Sequence, residues 1–202
     1  MNTRLFLEIN DLARATPWLH APMVGYAKYG VVLFAVLLLA GWWTARLRGA
    51  GLPAAIWAPI GMLLAVAVNQ PIVALVHEPR PYTTLSGILV LADRSTDPSL
   101  PSDHATMAGA IAAGLLLVSW RLGLLATAAA ALMGFARVYI AAHYPFDVLA
   151  GFALGATVTL LGYLVARGPI TAGLDRLDRT RLRPLLRTGG AAATDQAAMA
   201  RR

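Results

Sequence analysis

Five apolar stretches, residues 23–45, 54–76, 105–120, 122–142 and 148–166, dominate this chain. Crossing a hydrocarbon core of roughly 30 Å takes about 20 residues of helix, and within lipid every backbone N–H and C=O must be satisfied inside the structure. Runs of this length and polarity lead to an all-α fold, a polytopic membrane helix bundle of about five spans. Charged residues make up only 13% of the chain against 58% hydrophobic ones, and the mean hydropathy is +0.62, which excludes an ordinary soluble domain.

The flanks differ from the runs. Leu5, Phe6, Ile9, Leu12 and Ala13 alternate at helical spacing with Arg4, Glu8, Asp11 and Arg14. Such a pattern is too broken to span and describes an interfacial amphipathic helix. Three regions follow: the interfacial helix over residues 1–22, a transmembrane core over 23–167, and a basic, partly disordered cytoplasmic tail over 168–202. The net charge of +7 would suggest nucleic acid in a soluble protein. Here the arginines cluster in loops and in the tail, so membrane orientation and anionic headgroups account for them and no nucleic-acid partner is expected. The absence of cysteine removes disulfides, thiolate chemistry and cysteine-ligated metals.

Three short polar segments interrupt the runs. In His77-Glu78-Pro79-Arg80-Pro81-Tyr82, prolines on both sides of Arg80 hold it extended, as a rigid oxyanion clamp requires. A cation snorkelling at a helix end fits that hexapeptide equally well. Pro101-Ser102-Asp103-His104 carries helix-start residues, so Ser102 and its neighbouring N–H groups form either a simple N-cap or an anion site at a helix N-terminus. Arg137 and His143 stand nearly two turns apart near a helix end. Pro145 then opens the next helix, and Asp147 can reach back to His143 to set its tautomer. The plainer reading of this third segment is a capping arginine and aspartate with an interfacial histidine. Asn69 and Gln70, inside the second run, are expected to bond between helices, and Gly151 and Gly155 to form a small-residue packing face. Arg121 with Gly123 is expected to make the tight turn into the fourth run.

Five spans place Arg46, Arg48, Arg121 and the tail on one face, which the positive-inside rule makes cytoplasmic. Arg80, Ser102, His104, Arg137, His143 and Asp147 then share the outer face. Two arginines, a hydroxyl and helix-terminal amides suit a phosphate, and two histidines suit a nucleophile and a general acid. No metal or cofactor is expected.

Read together, Arg80-Pro81, Pro101-Ser102-Asp103-His104 and Arg137…His143…Asp147 resemble the motifs of the type 2 phosphatidic acid phosphatase superfamily. The Asp103 variant and the His143-Tyr144-Pro145-Phe146-Asp147 wording resemble its bacitracin-resistance-type undecaprenyl-diphosphate phosphatases. The resemblance implies that His143 attacks phosphorus to give a phosphohistidine, Asp147 orients it, and His104 protonates the leaving group. Arg80, Arg137 and Ser102, with the Asp103 backbone, would hold the phosphoryl group. The implied function is removal of the terminal phosphate from a polyprenyl diphosphate during recycling of a cell-wall lipid carrier. Phosphatidate, phosphatidylglycerophosphate and non-catalytic lipid-phosphate binding are the alternatives. Three positions depart from the pattern: Val73 stands where a lysine is expected and Lys28 is the only lysine in the chain, Asp103 replaces glycine, and Ala136 replaces serine.

Overall fold

The computed structural model describes residues 1–178 and 180, all of them helical or irregular. The helices are α1 (Asn2–Ala15), α2 (His20–Tyr29), α3 (Val31–Arg48), α4 (Leu52–Val76), the single turn α5 (Pro81–Thr84), α6 (Asp103–Val118), α7 (Trp120–Tyr139) and α8 (Pro145–Leu177). Four helices, α3, α4, α7 and α8, are long and apolar enough to cross a membrane. The third run folds as α6, whose 16 residues are shorter than a full span but almost all buried from Ala105 to Leu115. A helix apolar on every side belongs in the middle of a bundle. Indeed α6 packs against α3, α4, α7 and α8 together.

Small residues set the spacing. A Cβ on Gly155 would collide with the Thr106 carbonyl, and one on Gly151 would stand 2.7 Å from the Ser102 carbonyl and 2.9 Å from Ala105 Cβ. The expected small-residue face of α8 thus lies directly on the first turns of α6. This close backbone approach lets Ser102 N–H donate to the Asp147 carbonyl at 3.0 Å. Phe34, Ile111, Leu115 and Met133 fill the central core, and Tyr26 donates from α2 to the Ala129 carbonyl at 2.8 Å.

The first run is divided. Gly30 separates α2 from α3, though its N–H still donates to the Tyr26 carbonyl at 2.8 Å, so the two halves are nearly continuous. The reversal between α6 and α7 is made by Ser119 alone, an extended residue, and not by Arg121 and Gly123, which both lie inside α7. Gly123 serves a different purpose: a Cβ there would run into the Leu116 side chain across the hairpin. Helix α8 continues to Leu177, eleven residues past the end of the run read from hydropathy at residue 166. The remainder of the expected basic tail, including Arg179, Arg181, Arg183 and Arg187, lies outside the described residues.

Helix α1 is amphipathic as expected, with Phe6, Asn10 and Ala13 buried. It packs across the start of α8 and the end of α7, where Phe6 meets the Tyr144 ring edge-on. Asn10 also grips the segment after α5. Its Nδ2 donates to the Leu89 carbonyl at 2.7 Å, and its Oδ1 accepts from Leu89 N–H at 2.9 Å. Leu91 and Ala92 N–H both donate to the Ile140 carbonyl. The apolar stretch from Leu85 to Leu91 is therefore a strap tied down over the end of α7. Its backbone is neither helical nor sheet-paired; Leu89 bonds the Asn10 side chain, Gly87 the Arg14 side chain, and Leu91 the Ile140 carbonyl just past α7.

Candidate active site

The loop after α4 carries the first site residue. His77 ends that helix in the left-handed region, and Arg80 is extended between its two prolines as their stereochemistry requires. Arg80 Nε donates to the Asp97 carbonyl at 2.8 Å, and one terminal nitrogen donates to the Ala142 carbonyl at 3.2 Å. The guanidinium is thereby fixed beside the residue that precedes His143.

After α7 ends at Tyr139, Ala141 takes φ +64, a conformation that is costly for a residue with a side chain and that clusters at functional sites. The chain folds back so that the N–H groups of Ala142 and His143 both reach the Arg137 carbonyl. His143 therefore sits in a turn one step beyond the helix, under Arg137, and Arg137 donates to His143 Nε2 at 3.3 Å. The other ring nitrogen, Nδ1, lies 2.8 Å from the Ser99 carbonyl oxygen. A carbonyl can only accept, so Nδ1 carries the proton and Nε2 keeps its lone pair. Burial holds the His143 imidazole below its usual 6.5, reinforced by Arg137 and Arg80 and opposed by its contact with Asp147. The ring is neutral at pH 7.

Asp147 stands 3.6 Å from His143 Nδ1. Its Oδ2 accepts from the Tyr144 N–H at 2.8 Å, which caps α8, and from the Ser99 hydroxyl. Ser99 thus couples the two residues, giving its carbonyl to the histidine and its hydroxyl proton to the carboxylate. Nothing in the sequence singled out Ser99; the one available signal is its place between Pro98 and Pro101.

Ser102 is the N-cap of α6, fully buried, and its hydroxyl has no partner. Arg137 Nε is likewise buried and unpartnered. Buried polar atoms are normally satisfied, so two unmet ones beside the same histidine turn are consistent with donors awaiting an anion. The Asp103 carboxylate is held from α4: Oδ1 accepts from Asn69 Nδ2 at 2.7 Å and from Gln70 Nε2 at 2.9 Å, and Asn69 also donates to the Pro101 carbonyl. The expected interhelical role of Asn69 and Gln70 is to anchor the start of α6. The aspartate that replaces glycine keeps its charge, has Oδ1 held by two side-chain amides, and lines the site cavity.

Arg80, Asp103, His104, Arg137 and His143 line one cavity of about 720 Å³, bounded also by Lys28, Val73, His77 and Asp93. Ser102 and Asp147 are buried next to it. The three polar segments, separated by up to 67 residues of sequence, meet at one end of the bundle. At the opposite end Arg46 stacks over Trp42 and Trp43 at 5.4 and 5.6 Å, and Arg121 over Trp120 at 5.3 Å. The arrangement brings together a neutral imidazole, two arginines, the N-terminal amides of α6 and a second histidine, His104, lining the same cavity.

A family model described as the PAP2 superfamily matches residues 54–169. Undecaprenyl-diphosphatase BcrC of Bacillus subtilis is 29% identical over 83% of this chain and 83% of its own length. An undecaprenyl-diphosphatase of Sulfolobus acidocaldarius is 31% identical over 84% of this chain and 81% of its own. Among solved structures, Aquifex aeolicus LpxE superposes with a TM-score of 0.64 at 24% identity, covering 79% of this chain and 93% of that one, a likeness of fold.

Proposed function

The chain belongs to the PAP2 superfamily and is a membrane phosphatase, and on that premise we propose that it hydrolyses the terminal phosphate of a polyprenyl diphosphate, undecaprenyl diphosphate, through a phosphohistidine at the outer face of the membrane. The observation that supports the chemistry is the Ser99 carbonyl at His143 Nδ1, which leaves Nε2 unprotonated; the Arg137 donor now on Nε2 would pass to the phosphate as Nε2 attacks. The lipid is supported by the two undecaprenyl-diphosphatase relatives.

In the first half-reaction Nε2 forms a bond to the terminal phosphorus while the bridging P–O bond breaks. His104 gives its proton to the departing lipid monophosphate oxygen. Arg80 and Arg137, with the Ser102 hydroxyl and the α6 amides, balance the charge on the equatorial oxygens of the transferring group. Asp147, through Ser99, steadies the imidazole as positive charge develops on it. In the second half-reaction His104 takes a proton from water, the water oxygen attacks phosphorus, and the N–P bond breaks to release inorganic phosphate. The outer-face location is supported by the arginine and tryptophan residues at the far end of the bundle, which the positive-inside rule would set in the cytoplasm.

The test is phosphate release by the detergent-purified full chain in EDTA, with undecaprenyl diphosphate or phosphatidate. Release from the diphosphate, together with an acid-labile, alkali-stable phosphoprotein in quenched reactions, is expected for the native chain. His143→Ala should lose both. Preference for phosphatidate would move the substrate to phospholipids, and lipid binding without release would make the chain a lipid-phosphate binder.

A further inference from the structure

Val73 stands where a lysine is expected, and the fold brings the chain's lysine to the same cavity by another route. Lys28, in the last turn of α2, lines the cavity together with Val73, Ala74 and His77. It lies more than forty residues upstream of the expected position, on a helix that Tyr26 ties to the α7 backbone. Its ammonium lies 3.4 Å from Asp93 Oδ2, with the two side chains 57% and 92% exposed. An ion pair this open is weak and readily exchanged for a better anion.

The cations nearest the nucleophile are already assigned. Arg137 touches His143 Nε2, and Arg80 is bonded to the carbonyl of the residue before it. Lys28 comes from another wall, shared with Leu91, Ala92 and Asp93 of the strap. At about 720 Å³ the cavity is of the size that holds a whole ligand of several groups, far more than one phosphoryl. A compact, mobile ammonium on a flexible stem suits a phosphate that stays bound while its neighbour is transferred.

We propose that Lys28 binds the lipid-side phosphate of a diphosphate substrate, the one that is not transferred, and that Asp93 holds the ammonium until the substrate displaces it. Lys28 is thereby the residue that separates diphosphates from monophosphates. The proposal rests on the diphosphate reading above and deepens it.

The experiment measures binding by calorimetry in the full-length His143→Ala chain, which does not turn over, using farnesyl diphosphate and farnesyl monophosphate as probes. The parent should bind the diphosphate more tightly. Loss of one hydrogen bond to a charged group in Lys28→Met should cut that advantage roughly tenfold. Lys28→Arg should retain most of it, and Asp93→Asn, which removes the competing carboxylate, should increase it. An advantage unchanged in Lys28→Met, or an equal loss for both probes, overturns the role of Lys28. A parent with no preference for the diphosphate overturns the diphosphate reading itself, and the role of Lys28 with it.

Discussion

The carbonyl oxygen of Ser99 is 2.8 Å from His143 Nδ1, nearer than the Asp147 carboxylate at 3.6 Å. The tautomer of the histidine is therefore held by a backbone group, and the carboxylate acts on it through the Ser99 hydroxyl.

Ser99→Ala keeps the carbonyl and removes only that hydroxyl. The Asp147 carboxylate, buried to 1% exposure, then loses one of its donors. Since hydrogen bonds to charged groups are worth about 1.5–3 kcal/mol, kcat should fall about ten- to a hundredfold while KM changes little. Steady-state kinetics check this. An effect confined to KM would mean that the hydroxyl touches substrate instead.

Burial lowers the pKa of His143 from 6.5, so the nucleophile should stay neutral to below that pH. The acid limb of kcat/KM that reports it should therefore lie below pH 6.5 once the titration of the substrate phosphate is subtracted. The sign for stability follows. A histidine whose folded pKa is depressed contributes fully above 6.5, and its contribution is lost as the pH falls from 6.5 towards the lower folded value. Thermal unfolding of the native chain should fall more steeply than that of His143→Gln over the same window. Parallel curves for the two proteins would argue against a buried neutral histidine.

Gly155→Ala should separate α6 from α8, because the added methyl meets the Thr106 carbonyl on a rigid helix. Overpacking of this kind costs about 1–3 kcal/mol. The displacement also strains the Ser102 N–H bond to the Asp147 carbonyl, one turn from the histidine. We expect a lower melting temperature together with reduced phosphate release, although residue 155 touches no site residue. Gly173→Ala on the same helix, where nothing lies within 4 Å, is the control and should leave both unchanged.

Much of this arrangement was legible in the chain because it is governed by short-range rules. The apolar runs compel helices in lipid, the prolines around Arg80 leave it extended, and Gly151 with Gly155 marks a contact face. Other features depend on which residues three-dimensional packing brings together. Ser99 and Asp147 are 48 positions apart, a separation at which no helical or strand period relates them. The reversal at Ser119 was misplaced onto Gly123 because a glycine is read as a turn, whereas here its missing side chain makes room for Leu116. The amides that hold Asp103 Oδ1 belong to Asn69 and Gln70, 34 and 33 positions before it, a pairing no local rule sets.

Taken alone, then, the sequence determined the membrane bundle, the level at which its polar segments lie, and the residue types available for phosphoryl transfer, since hydrophobic length and backbone stereochemistry are local properties. Tertiary structure decided which nitrogen of His143 carries the proton, which groups bridge it to Asp147, and that the chain's only lysine faces the cavity. Those facts depend on hydrogen-bonding distances of about 3 Å between helices and loops remote in sequence, and only packing sets such distances.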